Sequence, residues 1–446
     1  VAELLERALG IAERARAGEA VEVVLGRSRE TEVVVYHGEV ESLTRAETAA
    51  VGVRVIVGGR VGFATAGSLE SSALADALRR ARENAELVEA DPDAVLAAPD
   101  GVPAAALVLR DPEVASTPIE DKVARALELE RRVAEHDARI RDVQHATYGD
   151  VDGEVAIAST TGIAAQVAQS RAWLFVEALA AADGGPLSTG FASEAARGPA
   201  GLDPVAVASD AAERALRGIG ADKPTSRPVA VLFTPRTAAT LLGLWAGAAS
   251  GLAVVRGRSM FTGRLGERIA PRWFSLVDDP TDPRSLGASP IDGEGLASRA
   301  NRIIDGGVLA ELLYDAYAAR LAGRRSNAAA LRGPSSLPAP GARALRVVAP
   351  TVPVEELRSG GEVLVMEALS GVHSGVSTVS GDFSVGVEGV LWVGGAPVEP
   401  VREATVSGNL QRMLIDLVGV GDDARELPSG TRAPSLLVEG LQLAGR

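Results

Sequence analysis

The chain of 446 residues contains no cysteine, which excludes disulfides, a thiol nucleophile and any thiolate metal site within it. Histidine is nearly as scarce. Only His37, His136, His145 and His373 occur, no two of them at helical ligand spacing, so a metal site made by this chain alone would have to be built from carboxylates. Lysine is reduced to Lys122 and Lys223 among 45 basic residues, and the net charge is −14. With no lysine-rich arm and no basic aromatic stripe, nothing offsets the repulsion of nucleic acid or of an anionic membrane. The chain opens on an acidic amphipathic helix rather than a basic segment followed by an apolar one, so no signal peptide is expected and the location reads as cytoplasmic.

Long uncharged segments are also missing, with one exception. Thr237 to Val255, TAATLLGLWAGAASGLAVV, lies between Arg236 and Arg256 without a charge. It is long enough to be weighed as a membrane span, but it is mostly Ala, Gly, Ser and Thr, which gain little from lipid. It follows the strand-like Val229–Phe233, and Thr234-Pro235 supplies an N-cap and a first helical residue. A buried helix is therefore expected, with no membrane partner. Gly243, Gly247 and Gly251 form a small-residue stripe along it, and close packing is expected to fill that groove.

What is abundant is ordinary. Apolar residues make up 46% and charged residues 23%, a globular composition long enough for two or three domains. Leu4, Leu5, Ala8, Leu9 and Ala12 share a helical face; β-branched segments broken at Gly26, His37-Gly38 and Gly58-Gly59 follow; Ser68 then caps a long amphipathic helix. After a Pro- and Ala-rich connector, Thr117-Pro118-Ile119-Glu120 has the form of a capping box, three strands follow, and a helix begins near Pro204. The order helix, strands, helix thus occurs twice. From Arg343 onward the pattern is largely β with regular turns, which predicts a strongly twisted sheet or barrel. The fold class is α+β: duplicated helix–strands–helix units over 1–95 and 96–222, then a β-rich C-terminal domain over 223–446 with the buried glycine-striped helix.

Two clusters could carry chemistry. Asp278, Asp279, Asp292 and Glu294 offer oxygens to a hard cation, but their spacing is not that of a calcium loop and acids beside Pro and Gly are first of all turn formers. Ser380, Asp382 and Ser384, with His373 nearby, allow a Ser-His-Asp triad to be drawn; the favoured reading is a glycine-bearing bend whose polar groups satisfy the backbone.

Three stretches, SPIDGEGLASRANRIIDGGVLAELLYDAYAARLAG, GVHSGVSTVSGDFSVGVEGVLWVGG and PVREATVSGNLQRML, closely resemble the C-terminal domain of the TldD/PmbA family, the modulators of DNA gyrase, and the resemblance extends over essentially the whole chain. In that family a zinc peptidase subunit carries His-Glu-x-x-x-His on a helix, with a further thiolate ligand. Aligned through Leu241-Leu242 and Gly247, the two imidazole positions fall on Gly243 and Ala248 and the general-base position on Leu244. The resemblance therefore implies the PmbA (TldE) branch: a non-catalytic subunit that binds no cofactor, pairs with a TldD-like zinc-bearing homologue, and serves hydrolysis of unfolded or flexible peptides, extending to peptide or natural-product maturation. The strands around Val376–Val387, with His373, Asp382 and Ser384, are expected to wall a groove and to pair with the backbone of an extended peptide or amide substrate. The competing readings are a stand-alone peptide-binding module without a protease partner, and an enzyme using the His373 and Asp382 region.

Overall fold

The computed structural model describes residues 2–446. Helix α1 (Ala2–Ala12) leads into β1 (Glu19–Tyr36), β2 (Glu39–Val57) and β3 (Arg60–Ala66), and α2 (Ser71–Glu86) closes the first unit. The two hairpin turns fall at His37-Gly38 and Gly58-Gly59, all four residues at positive φ, the conformation whose twist matches that of the flanking strands. Short helix α3 (Glu113–Ser116) precedes the second unit: α4 (Ile119–Ala134), β4 (Ile140–Ser159), β5 (Ala164–Ala180), β6 (Ser188–Ala196) and α5 (Pro204–Arg217).

Both units contribute to one antiparallel sheet in the order β3-β2-β1-β4-β5-β6, joined where β1 pairs with β4 from Glu22↔Ser159 to Val35↔Ala146. The repeat is visible in its packing. A Cβ on Gly62 of β3 would lie 1.8 Å from the Ala81 carbonyl of α2, and one on Gly190 of β6 would lie 2.2 Å from the Ala215 nitrogen of α5, so in each unit the closing helix seats its backbone on a glycine of the edge strand.

Two caps differ from expectation. Ser68 lies ahead of α2 and accepts from the Glu70 amide instead of capping the helix. Thr117 makes no capping box, because α3 ends just before it and its hydroxyl donates back to the Glu113 carbonyl at 2.7 Å. Asp203 does cap α5, accepting from Val205 and Ala206.

The C-terminal part is organised by a closed sheet. Strand β7 (Arg227–Phe233) lies parallel to Glu362–Ser370 and antiparallel to Leu436–Ala444. Asp382–Val393 and Ala396–Asn409 continue from Glu362–Ser370, and Ala396–Asn409 returns to Leu436–Ala444 through Thr405↔Ala444 and Val406↔Leu443, making the expected barrel. Its core holds Phe233, Trp245, Phe261 and Phe274, all essentially inaccessible. At the joint with the N-terminal sheet, buried Arg54 donates to Glu22 at 2.6 Å and approaches Glu294 at 3.4 Å, and Glu22 also pairs with Arg332.

Among the described residues no helix is long and apolar enough to cross a membrane. The uncharged run divides into α6 (Pro235–Ala248) and α7 (Gly251–Val255), with Ser250 capping the second.

Candidate functional site

Helix α6 begins where the sequence indicates, with Thr234 before it and Pro235 in its first turn. The Thr234 hydroxyl donates to the Met366 carbonyl at 3.0 Å, and the Thr237 hydroxyl reaches the same oxygen at 3.1 Å. That oxygen lies at a bulge in the neighbouring strand, between Met366 and Ala368, where the ladder is interrupted. Ala238, Leu241, Leu242 and Trp245 then point into the barrel core. Trp245 donates Nε1–H to the Leu410 carbonyl at 3.1 Å and meets Phe274 edge-on with centroids 6.3 Å apart.

The helix is buried on that face as expected, but its glycine stripe is not packed as expected. Gly243 and Gly247 are exposed, and a Cβ on either would meet nothing within 4 Å. The reason is rotational: Leu241, Leu242 and Trp245 fix which way the helix faces, and positions 243 and 247 then fall outward. Gly251, at the start of α7, does require glycine, since a Cβ there would lie 2.2 Å from the Tyr314 ring.

Of the three positions that answer to the zinc motif, Gly243 is on the open face, Leu244 is half-buried and Ala248 is buried. None carries a donor atom, and no group of three or more His, Cys, Asp or Glu side chains among the described residues could hold a metal ion. These residues do not fit zinc.

The acids of the turn region are structural. Asp278 accepts from the Arg343 and Ala344 amides at 2.8 and 2.6 Å, and Asp292 from Glu294, Leu296 and Ala330. Burial raises both carboxyls to about 6. Burial likewise lifts Glu294 to about 8 against the pull of Arg54, with Glu22 and Asp292 adding to the rise. Asp279 folds back on Thr281. The bland reading of this cluster therefore describes it.

His373, Asp382 and Ser384 are all exposed at one end of the barrel. Ser380 donates to Asp382 at 2.6 Å, while His373 hydrogen-bonds neither, so the triad has no base on its serine. The short helix Val372–Gly375 carrying His373 is held close by a glycine: a Cβ on Gly375 would lie 1.8 Å from the Ser384 carbonyl. Both backbone edges of Asp382–Ser384 are engaged, one by Ser407–Asn409 and the other through Val376↔Phe383 and the Ser377 amide on the Asp382 carbonyl. The expected backbone pairing with a peptide is therefore not open at Asp382–Ser384, and what this end offers a ligand is side chains.

One neighbour of the site was not legible in the sequence. Arg236, in the first turn of α6, stacks over the Phe191 ring at 4.0 Å and donates to Ser193 at 3.3 Å. Burial, with Arg214 nearby, draws it down to about 10. Phe191 and Ser193 belong to β6, in the other half of the molecule, so no local spacing announces the contact.

The chain matches three family profiles: PmbA/TldA metallopeptidase domain 1 over residues 21–85, the central domain over 112–219 and the C-terminal domain over 226–445. It is 27% identical over 457 aligned positions to the metalloprotease PmbA of Escherichia coli, covering 100% of this chain and 97% of that one. Among solved structures, a Bacteroides thetaiotaomicron protein described as a modulator of DNA gyrase superimposes with a TM-score of 0.89 at 25% identity, covering 100% of this chain and 99% of that one. TldE of Thermococcus kodakarensis shares the fold with a TM-score of 0.88 at 21% identity, covering 99% of this chain and 100% of that one. With profiles spanning all three parts, full-length similarity to PmbA and the fold of TldE, this chain belongs to the PmbA/TldD metallopeptidase family, as a PmbA-like member lacking the zinc motif.

Proposed function

We propose that this chain is the non-catalytic subunit of a heterodimeric zinc metalloprotease, paired with a TldD-like homologue that carries the metal, and that the pair hydrolyses unfolded or flexible peptides. The observation that supports this is on α6: the positions of both imidazoles and the general base are Gly243, Ala248 and Leu244, and no cluster elsewhere among the described residues replaces them. Hydrolysis by a metal-bound water needs about three protein ligands and a nearby base, so the chemistry belongs to the homologue. The contribution of this chain is surface, and His373, Asp382 and Ser384 at the barrel end are proposed to touch the substrate.

The test is reconstitution from separately purified chains. Neither this chain nor a homologue mutated in its His-Glu-x-x-x-His is expected to cleave an unstructured peptide, whereas the mixture with intact homologue is, and His373→Ala here should raise KM more than it lowers kcat. Peptide cleavage by this chain alone, insensitive to a zinc chelator, would overturn the proposal. Tight peptide binding with no complex formed would replace it with the stand-alone binding module.

A further inference from the structure

Helices α1, α2, α4 and α5 pack on one face of the N-terminal sheet. The opposite face meets the C-terminal domain, and a half-open cavity of about 440 Å³ lies on it, bordered on the C-terminal side by Pro334. Strand alternation places a single cross-strand row on its floor, Thr48, Ser28, Gly153 and Gln169, and Arg171 and Arg197 also line it. Arg171 donates Nη1–H to the Pro428 carbonyl at 2.7 Å and Nη2–H to the Leu286 carbonyl at 3.0 Å; Arg197 donates Nη2–H to the Ser285 carbonyl at 2.6 Å. Those partners are neutral. The Arg197 Nε–H is buried with no partner at all.

This is unusual in an acidic chain, where carboxylates are plentiful. Arg27, at the same cavity, pairs with Glu154, and Arg54 beyond it pairs with Glu22. The acid that acts on both Arg171 and Arg197 is Glu426, and its carboxylate already accepts from the Ser285 hydroxyl at 3.1 Å and the Leu286 amide at 2.8 Å. Burial depresses both guanidinium groups, and Arg171 adds to the effect at Arg197, so holding both charges against the single shared carboxylate of Glu426, with no direct ion pair to either, is costly. A planar carboxylate, like a phosphate, matches the fork of guanidinium donors. The cavity is far larger than one small anion, and its floor adds Val151, Val155 and Val167 to the hydroxyl and amide row, the mixture that suits a short stretch of peptide.

We propose that this cavity is a carboxylate subsite in which Arg171 and Arg197 take the C-terminal carboxylate of a short peptide lying along the Thr48–Ser28–Gly153–Gln169 row. The proposal rests on the reading of this chain as part of a peptide-handling assembly and says which end of the peptide it holds.

The experiment is calorimetric titration of the purified chain with an acetylated pentapeptide of alanine and valine, as the free acid and as the C-terminal amide. The acid is expected to bind at least about tenfold more tightly, with the preference lost in Arg197→Gln and Arg171→Gln. Arg171 also ties down two loops, so thermal melting is recorded for every variant. If Arg171→Gln unfolds, Gly153→Val carries the test: a Cβ at Gly153 meets only ordinary contacts, the nearest being Ser28 Cβ at 3.4 Å, so valine is accommodated by the strand and interrupts the row on which the peptide lies, and binding of the acid should be lost. Equal affinity for acid and amide overturns the proposal, as does an acid preference that survives in a natively melting Gly153→Val. Inorganic phosphate is titrated in parallel; phosphate binding that depends on Arg197 while the acid shows no preference over the amide would make this a small-anion site and refute the peptide. Because the isolated chain is used, equal affinities alongside a functional heterodimer sink this inference alone, and an acid preference without a heterodimer sinks the partner reading alone.

Discussion

The two faces of α6 have the same helix to build on and opposite contents. One carries Ala238, Leu241, Leu242 and Trp245, packed without accessible surface; the other carries Gly243 and Gly247, which nothing touches. The first face does what any member of this fold must do, since it fills the barrel. The second holds Gly243, one of the three positions that answer to the zinc motif; of the other two, Leu244 is half-buried and Ala248 is buried, and none of the three has a functional group. The large residues that fill the barrel and the positions that answer to the motif are different residues of one helix, so the fold is kept where the motif's functional groups are absent.

Mutations should separate the faces, beginning with the largest effect. Trp245→Ala removes a fully buried indole together with its hydrogen bond to Leu410 and should cost about 3 to 5 kcal/mol in denaturant unfolding; a loss below 1 kcal/mol would mean that the packed face does not hold the barrel. Gly251→Ala drives a methyl into Tyr314 and should cost about 1 to 3 kcal/mol. Gly243→Ala and Gly247→Ala, by contrast, should each raise stability by up to about 1 kcal/mol, because alanine is the better helix former and the space is open. A destabilised Gly247→Ala would show that the bare face is packed after all.

The buried acids sharpen the contrast through pH. Glu294 has a folded value of about 8 against an ordinary 4.5, so between those values the folded chain holds a proton that the unfolded chain has lost. Stability from this group is fully present below pH 4.5 and is lost as pH rises through 8. Glu294→Gln should flatten that part of the stability curve while keeping an acceptor for the Ala316 amide; an unchanged slope between pH 5 and pH 8 would assign the dependence to another group.

Much of this architecture could be read from residue order. The His37-Gly38 and Gly58-Gly59 turns and the alternation around them announce the strands, and the recurring helix–strands–helix order announces the repeat. Barrel closure was legible only as a tendency, because the pairing of Thr405 with Ala444 joins segments that no local pattern relates. The capping box at Thr117 failed for a local reason: a helix ends immediately before it and offers the hydroxyl a carbonyl. The glycine stripe failed for a rotational one, since alanine and glycine on every side leave a helix's orientation to its few large residues. Arg171 and Arg197 could not be found from spacing at all. Their lack of a carboxylate shows only when β5 and the end of β6 are brought against the loops at Ser285 and Pro428.

The central claim, that this chain supplies fold and surface while its homologue supplies the metal, is tested most directly by counting zinc. The two chains are purified separately, dialysed against excess zinc and then against buffer, and measured alone and as the isolated complex. The account predicts no stoichiometric zinc on this chain, about one on the homologue and about one per heterodimer, since three donor groups are needed and this α6 has none. One zinc per copy of this chain alone, or two per heterodimer, would contradict it.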